Sequence, residues 1–322
     1  MGERVGAAAQ SAGPAGGQVF RSGFAVVVGR PNAGKSTLVN ALVGQKIAIA
    51  SDRPQTTRHT VRGIVNRPGA QLVLIDTPGL HKPRSLLGER LNAVVREAWS
   101  AVDVVACCLP ADERIGPGDR YLAGELARLP HRPSLVAFVT KIDLTAPDRL
   151  LEHLVAVNKL GADLGFEWAH IVPVSALAGV QVEEAAAVLA SLLPPGPSYY
   201  PDGAATDEPD EVLVAELIRE AALGLVRDEL PHSIAVTVEE MGLRAGRAAD
   251  RPLLDVYASL IVERDSQKPI VLGAGASRLK EIGSSARQQI ARLLGVPVHL
   301  DLRVKVLKEW QSNPKSLNRL GF

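Results

Sequence analysis

A glycine-rich segment near the start of the chain has the residue types and spacing of a phosphate-binding loop. The run GRPNAGKS, residues 29–36, matches the pattern G-x-x-x-x-G-K-[ST] and lies between an apolar run at Phe24–Val28 and a helical run at Thr37–Val43. Glycines let backbone N–H groups close around phosphates at a helix N-terminus, the lysine reaches the terminal phosphates, and the serine hydroxyl ligates Mg²⁺. The segment predicts binding of a nucleoside triphosphate with Mg²⁺. The predicted contacts are Gly29, Arg30, Pro31, Asn32, Ala33, Gly34, Lys35, Ser36 and Thr37.

Two later segments could complete the metal site and sense the terminal phosphate. In the run DTPG, Asp76 is expected to hold Mg²⁺ through water, and the amide of Gly79 to meet the γ-phosphate. The polar loop SDRPQTTR carries two threonines, of which Thr57 is favoured as a metal ligand and Thr56 is the alternative. The predicted metal ligands are Ser36, Thr57 and Asp76, and the predicted catalytic residues are Asn32, Lys35, Thr57 and Gly79.

A further pair of segments predicts which base is bound. Thr140, Lys141 and Asp143 follow an apolar run, and the carboxylate of Asp143 can accept hydrogen bonds from both N1–H and the exocyclic amine of guanine. Adenine offers no such pair of donors. Ser175, Ala176 and Leu177 follow the next apolar run and fit a backbone contact to the base. Each piece is weak alone, but all lie at strand ends where open α/β sheets bind ligands, so together they predict a guanine nucleotide.

The elements that must position these residues form an alternating pattern. The apolar runs are Phe24–Val28, Leu72–Ile75, Val102–Leu109, Leu135–Val139 and Ile171–Val174. Each is followed by a helix-length segment, which is typical of parallel strands covered by helices on both faces. Thr60–Asn66 is less apolar and turns through Arg67, Pro68 and Gly69 into Gln71–Asp76, so it predicts an antiparallel edge hairpin. The sequence thus predicts an α/β domain with a mostly parallel sheet.

The pattern changes after residue 194. We predict a disordered tail at residues 1–18, a nucleotide-binding domain at 19–194, a linker rich in Pro, Gly and Asp at 195–209, and a smaller α+β domain at 210–322. The predicted elements of this second domain are a helix at Glu211–Leu225, strands at Ser233–Glu240 and Leu253–Glu263, two short helices near Leu279 and at Arg287–Leu294, and a strand at Val298–Val306.

Composition and charge limit the class of protein. The 322 residues suffice for about two domains. The net charge is +1, but residues 253–322 hold 11 Lys and Arg against 6 Asp and Glu, which favours contact with a phosphate backbone unless this is merely a solvated basic face. The adjacent Cys107 and Cys108 exclude a disulfide framework and favour a reducing compartment. With no secretory signal and no transmembrane segment, we expect a cytoplasmic protein, and peripheral contact with the inner face of the cell membrane stays open.

The motifs together resemble a known family. GRPNAGKSTLVNALVGQK, PQTTRH and DTPGLHKP resemble the Era family of GTPases, while HSIAVTVEE, ERDSQKPIVLG, LKEIG and PVHLDLRVKV resemble its type II KH domain. The resemblance covers nearly the whole chain after Gln18. It implies a P-loop GTPase domain followed by a KH domain, with GTP or GDP and Mg²⁺ as cofactors. It also implies a K⁺ ion near Asn32, binding to the 3′ region of 16S ribosomal RNA, and a role in maturation of the small ribosomal subunit.

The KH resemblance also implies the RNA contacts. A KH domain clamps RNA with a G-x-x-G turn between two helices. The implied contacts are Gly273, Ala274, Gly275 and Ala276, with Arg278 and Lys280 directly after them. Ala276 stands where the second glycine is usual. We expect the turn to keep ordinary dihedral angles there, with a strained loop as the alternative.

Other departures affect the nucleotide site. Position 140 is usually asparagine in this class, and the shorter side chain of Thr140 predicts weaker guanine binding with the specificity of Asp143 retained. Leu80 stands where Ras-like enzymes place a water-orienting glutamine, which predicts slow intrinsic hydrolysis. Trp310 and Tyr257 could stack on bases, but we interpret such sparse aromatic residues as core.

Two other functions fit the same residues. One is a GTP-controlled RNA chaperone or scaffold in which hydrolysis is incidental. The other is a membrane-associated signalling GTPase whose basic C-terminal face binds anionic lipid.

Overall fold

The computed structural model describes residues 19–50, 56–79, 85–130, 133–226, 233–248 and 250–322. The first sheet has six strands in the order β2-β3-β1-β4-β5-β6. They are β1 (Arg21–Val28), β2 (Val61–Arg67), β3 (Ala70–Asp76), β4 (Val104–Pro110), β5 (Ser134–Thr140) and β6 (His170–Pro173). Every neighbouring pair is parallel except β2 and β3. The mostly parallel sheet predicted from the apolar runs is confirmed.

Helices cover both faces of this sheet. They are α1 (Lys35–Val43), α2 (Leu86–Ser100), α3 (Pro117–Ala127), α4 (Pro147–Asp163) and α5 (Val182–Ser191). Side chains of the central strands alternate between the two faces. Ala25 and Val27 pack toward α1 and α5, whereas Val26 and Val28 pack toward α2, α3 and α4. The two buried cysteines follow the same alternation on β4 and are free thiols. Burial on both faces explains why these strands read as uninterrupted apolar runs.

The antiparallel hairpin is also confirmed. β2 and β3 pair from Val61 with Asp76 to Arg67 with Ala70, which leaves Pro68 and Gly69 as a two-residue turn. Gly69 adopts φ 77°, the left-handed conformation that a type II turn requires at its second central residue, after the proline that it favours at the first.

The segment predicted as a linker packs along the edge of the first sheet. The backbone N–H of Ile64 donates to the carbonyl of Ala205 at 2.8 Å, and Gly63 pairs with Thr206. The buried Gln71 side chain accepts hydrogen bonds from the N–H groups of Tyr199 and Tyr200 at 2.7 and 2.9 Å. These contacts hold the segment against the domain that precedes it, so it is not a free spacer.

The second domain is built on a three-stranded sheet in the order β7-β8-β9. Its elements are α6 (Asp210–Leu225), β7 (Ala235–Leu243), β8 (Leu254–Val262), α7 (Gln267–Leu272), α8 (Ser277–Leu294), β9 (Val298–Val306) and α9 (Pro314–Arg319). β7 pairs antiparallel with β8, and β8 pairs parallel with β9. Buried residues of α6 and α8 pack against β8 and form this domain's core.

The prediction of two short helices near Leu279 and at Arg287–Leu294 is wrong. Both segments belong to the single helix α8, because Ile282, Ala286 and Ile290 keep one apolar face buried along its length. Helix α7 and the terminal helix α9 were missed, since six residues carry too little periodicity to reveal a helix.

A small cluster joins the C-terminal segment to both domains. Trp310 is fully buried among Leu87 and Leu91 of α2, Ile261 of β8 and Leu317 of α9. Its Nε1 donates to the carbonyl of Ser233 at 3.1 Å. The interpretation of Trp310 as a core residue is confirmed.

The turn between α7 and α8 contradicts the expectation for its backbone. Ala276 has φ 61° and ψ 23°, which lies in the left-handed region, and Gly275 beside it has φ 55°. The prediction of ordinary dihedral angles at Ala276 is therefore wrong, and the strained alternative holds. The strain arises because the chain must reverse here before α8 begins at Ser277, and a Cβ atom crowds the backbone in this conformation.

None of the helices in the described part of the chain combines the length and apolar character needed to cross a bilayer.

Replacing Ala276 by glycine should stabilise the second domain by roughly 0.5–1 kcal/mol, because glycine adopts positive φ without the steric cost that alanine carries. Urea unfolding followed by circular dichroism would measure the change. Ala274→Gly in the same turn is the matched control, because Ala274 does not have a positive φ, and it should lower stability. Equal shifts for the two variants would contradict the strain.

Candidate functional site

The phosphate loop lies between β1 and α1 as predicted. Gly34 immediately before the helix has φ 85°, a conformation that glycine adopts without strain. Lys35 is buried, and its Nζ donates to the carbonyl of Arg30 at 3.0 Å across the loop. Burial lowers the pKa of Lys35, while the nearby Asp76 carboxylate opposes that change. The negative charge near Lys35 does not fully compensate its buried ammonium group, so the site is suited to a polyanionic ligand.

Arg30 directs its side chain away from the loop opening. Its Nη1 lies 2.6 Å from Glu113 and its Nε 3.1 Å from the buried Asp119 of α3. Asp119 also accepts the backbone N–H of Gly116 at 2.9 Å. The side chain of Arg30 therefore anchors the loop to α3, and only its backbone faces the phosphate site.

Three side-chain oxygens meet beside Lys35. Ser36 Oγ donates to Asp76 Oδ2 at 2.6 Å and lies 2.9 Å from Thr57 Oγ1, and Thr57 Oγ1 donates to the same Oδ2 at 3.4 Å. Asp76 Oδ1 is buried without a hydrogen-bond partner in the described structure, and burial raises the pKa of Asp76 to about 6. A set of hard oxygens with one unsatisfied carboxylate atom fits Mg²⁺.

The segment after β3 approaches the phosphate loop closely. Thr77 is buried, and its hydroxyl donates to the carbonyl of Val27 at 3.1 Å, which fixes the turn against β1. A Cβ atom at Gly79 would lie 3.2 Å from the backbone N of Pro31 and 3.3 Å from Lys35 Nζ. A side chain here would therefore be tight and would require Pro31 or Lys35 to shift by a few tenths of an ångström. Residue 80 lies outside the described residues.

Thr140 links the base-binding segment to the phosphate loop. Its hydroxyl donates to the carbonyl of Ala33 at 2.7 Å, and both residues are buried. The sequence predicts that threonine, being shorter than asparagine, bridges the base and the phosphate loop less well. Its hydroxyl does reach the loop, because β5 and the loop are close neighbours. Weaker guanine binding stays a prediction.

Asp143 and Ser175 are brought together from two strand ends. Ser175 Oγ donates to Asp143 Oδ1 at 2.5 Å and accepts the backbone N–H of Ala178 at 3.1 Å. Lys141, in the left-handed conformation at φ 58°, lies with its Nζ 3.2 Å from Asp112. Ser175 thereby orients the carboxylate of Asp143, an exposed residue that lines a cavity described below.

Most predicted site residues line two adjoining cavities, which share Asn32, Gly34, Thr37 and Ala50. The first is otherwise lined by Pro31, Lys35, Ser36, Ile49, Thr56, Thr57 and Gly79. The second, of about 550 Å³, is otherwise lined by Thr140, Lys141, Asp143, Leu144, Ala176, Leu177, Glu220 and Gly224. Gly29, Arg30, Ala33, Asp76 and Ser175 line neither cavity.

Sequence reasoning missed Ile49, Ala50 and Leu144, which adjoin predicted segments, and two residues of the second domain. Glu220 and Gly224 belong to α6 of the second domain, and nothing in the sequence indicates that α6 docks beside the base cavity.

A shallow groove of about 440 Å³ lies on the second domain beside the turn at Ala276. Its floor is apolar, formed by Leu279, Leu300 and Leu302, and its rim carries basic groups. Lys280, Arg287 and His299 supply those groups. The side chain of Arg278 donates to the carbonyl of Ile270 and so also braces α7. An apolar floor with a cationic rim is suited to single-stranded nucleic acid.

Comparison with known proteins identifies relatives along nearly the whole chain. Residues 24–141 match a family described as 50S ribosome-binding GTPase, and residues 229–311 match the KH domain. The chain is 63% identical over 304 residues to the GTPase Era of Streptomyces coelicolor, covering 94% of this chain and 96% of that protein. It is 60% identical over 303 residues to the GTPase Era of Mycobacterium avium, covering 94% and 99%.

Solved structures agree. A variant of Era from Aquifex aeolicus bound to GDP and AlF4⁻ superposes with a TM-score of 0.87 at 34% identity, covering 94% of this chain and 99% of that one. An Era complex with MgGDPNP and nucleotides 1506–1542 of 16S ribosomal RNA has the same score, identity and coverage. From its sheet order, its paired domains and these relatives, the chain belongs to the Era family of GTPases, with a P-loop GTPase domain followed by a KH domain.

Proposed function

We propose that this protein is a GTP-hydrolysing switch that binds the 3′ region of 16S ribosomal RNA and assists assembly of the small ribosomal subunit. The observation that carries the proposal is the placement of α6, which belongs to the domain with the basic groove and also forms a wall of the nucleotide cavity. A related Era structure contains both a GTP analogue with magnesium and a segment of 16S RNA, which supports the same pairing of ligands here. Cytoplasmic location and contact with a membrane stay predictions of the sequence.

Each part of the nucleotide site has a distinct task in this proposal. The amides around Gly34 cradle the phosphates and Lys35 offsets the charge of the β- and γ-phosphates. Ser36 and Thr57 would ligate Mg²⁺, with Asp76 behind them, and the bound Mg²⁺ neutralises charge that develops on the phosphate oxygens. The backbone of Gly79 is close enough to Lys35 to contact the γ-phosphate.

Asn32 is the candidate for completing the catalytic site. It adopts φ 63° at the junction of the two cavities, with an exposed side chain. An amide oxygen here could help to hold K⁺ beside the β- and γ-phosphates, where a cation acts as an arginine finger does.

The groove on the second domain is proposed to hold single-stranded RNA. Lys280 and Arg278 follow the turn at Ala276, and the groove between α8 and β9 offers an apolar floor for bases. The left-handed backbone at Ala276 is one that the glycine usual at this position adopts without strain, and Ala276 itself lines the groove.

A GTP-controlled RNA scaffold would use the same two sites. The difference between the two functions is kinetic, because a switch responds to its RNA with a change in turnover and a scaffold does not.

RNA matching nucleotides 1506–1542 of 16S ribosomal RNA, the segment bound in the related structure, should therefore change the steady-state rate of GTP hydrolysis. Phosphate release under multiple-turnover conditions measures it, and Lys35→Ala, which removes the phosphate-binding charge, is the inactive control. An unchanged rate with bound RNA would favour the scaffold.

The double variant Arg278→Ala and Lys280→Ala should bind this RNA more weakly, with a salt dependence flatter by up to about two phosphate contacts.

Asp143→Asn should shift base preference from guanine to xanthine, because xanthine presents an oxygen where guanine has its amine. We expect GDP affinity to fall by about a hundredfold, the scale of two lost bonds to a charged acceptor. Calorimetric titration with GDP and XDP measures the change. Asp148→Asn, an exposed carboxylate on α4, is the matched control. If Asp143→Asn keeps guanine selectivity, the base-binding segment has been misplaced.

Replacing K⁺ by Na⁺ at constant ionic strength should slow GTP turnover by about tenfold or more, the scale of one lost charge-stabilising contact. Asn32→Ala should abolish the difference between the two salts. GDP affinity, which does not involve the γ-phosphate, is expected to be similar in both. Equal turnover of the wild-type protein in K⁺ and Na⁺ would exclude the K⁺ site.

A further inference from the structure

Helix α6 contacts the first domain at Ala50 and at Thr56, the described residues on either side of residues 51–55. Glu220 Oε1 accepts the backbone N–H of Ala50 at 3.0 Å. Nη2 of Arg219 donates to the backbone carbonyl of Thr56. The two side chains are adjacent on α6, so one turn of a helix from the second domain contacts the first domain at both Ala50 and Thr56.

Arg219 is itself firmly held. It is only 2% exposed, and its Nη2 and Nε donate to the two carboxylate oxygens of Glu216 at 2.6 and 2.8 Å. This ion pair is buried where the two domains meet. Burying two charges costs more free energy than an exposed ion pair on a helix contributes to stability. An exposed ion pair at the same spacing would also stabilise α6. The stability of the helix therefore does not explain why this ion pair is buried. The bond to Thr56 gives the buried guanidinium a further acceptor.

The carbonyl of Thr56 lies in the same peptide plane as the N–H of Thr57. A peptide group is rigid, so the orientation of the Thr56 carbonyl also sets the direction of the N–H of Thr57. Thr57 in turn places its hydroxyl 2.9 Å from Ser36 and 3.4 Å from Asp76. Fixing one carbonyl therefore restricts where the Thr57 hydroxyl can lie.

The residue after Thr57 is fixed by the same domain. Nη1 of Arg58 donates to the carbonyl of Ile234 at 2.5 Å, and its guanidinium lies 5.6 Å from the centre of the Trp310 ring. Thr57 is thus flanked on both sides by residues bonded to the second domain.

We propose that Arg219 is a positioning residue, supplied by the RNA-binding domain, that holds Thr57 in place to ligate the Mg²⁺ of bound GTP. The inference rests on the proposed function, because it assumes that Ser36 and Thr57 ligate Mg²⁺ beside the γ-phosphate. Loops of this type are ordered by contacts with the γ-phosphate and its Mg²⁺ and are released on hydrolysis. Docking of α6 should accordingly favour GTP over GDP, and by linkage GTP should favour docking of α6.

The test compares affinities for GDP and for a non-hydrolysable GTP analogue in the full-length protein over a range of Mg²⁺ concentrations. Arg219→Met combined with Glu216→Gln removes both charges and leaves no unpaired carboxylate. This double variant should bind the GTP analogue about tenfold more weakly, or 1.4 kcal/mol, and need more Mg²⁺, with GDP affinity within about twofold of wild type. Glu216→Gln alone keeps the donor to Thr56 and should show a smaller loss. Glu211→Gln, an exposed carboxylate on the same helix, is the matched control and should show none.

A second measurement does not depend on any variant. In the wild-type protein, amide hydrogen exchange along α6 should be slower with the GTP analogue than with GDP, since linkage acts in both directions.

Arg219→Lys keeps a charged donor at this position. It should retain part of the affinity for the GTP analogue that the double variant loses.

Four outcomes would overturn the inference. Equal losses for GDP and the GTP analogue would show that Arg219 supports the whole fold and does not act on the Thr57 loop. Unchanged affinities in the double variant, or equal exchange along α6 with both nucleotides, would remove Arg219 from the nucleotide site while the proposed function stands. A wild-type protein without affinity for guanine nucleotides would overturn the proposed function and this inference together.

Discussion

The meeting of the Ser36, Thr57 and Asp76 oxygens is the interaction on which the rest of the structure depends. Ser36 lies in the first turn of α1 after β1, Asp76 ends β3, and Thr57 precedes β2. They converge because β1 and β3 are parallel neighbours and so end at the same edge of the sheet. The buried carboxylate is costly to charge without a cation, which is why its pKa rises to about 6. The fold thus builds a site whose own electrostatics favour Mg²⁺.

Features that the local sequence determines could be predicted, whereas residues whose role depends on how the two domains pack together could not. The parallel strands were predicted because burial on both faces makes them uninterrupted apolar runs, and the phosphate loop because its chemistry restricts its sequence. The continuity of α8 was missed because the polar residues on its solvent face interrupt the apolar pattern. The backbone of Ala276 was misjudged because residue type is only a weak guide to φ where a turn must reverse the chain. Glu220 and Arg219 were missed because their role depends on which surface α6 faces, and no local pattern carries that information.

The contact between the domains places an unusual amount of charge out of water. Burial, reinforced by the neighbouring Arg219, lowers the pKa of Arg58 to about 9, which still leaves the guanidinium charged at neutral pH. Glu216 partly offsets the repulsion between the two guanidinium groups. Buried charges of this kind are costly unless each finds its partner. We therefore expect a docked arrangement that kept Arg58 buried away from Ile234 and Trp310 to be disfavoured.

The segment that packs along β2 affects how readily the protein aggregates in a crowded solution. An open sheet presents unpaired N–H and C=O groups along its outer strands, and another extended chain can add to them. Here the backbone at Ala205 and Thr206 pairs with β2 at one side of the six-stranded sheet, and the short β6 ends in Pro173 at the other. The chain thereby occupies one outer edge with its own backbone and limits the other in length, which protects the sheet against aggregation by strand addition.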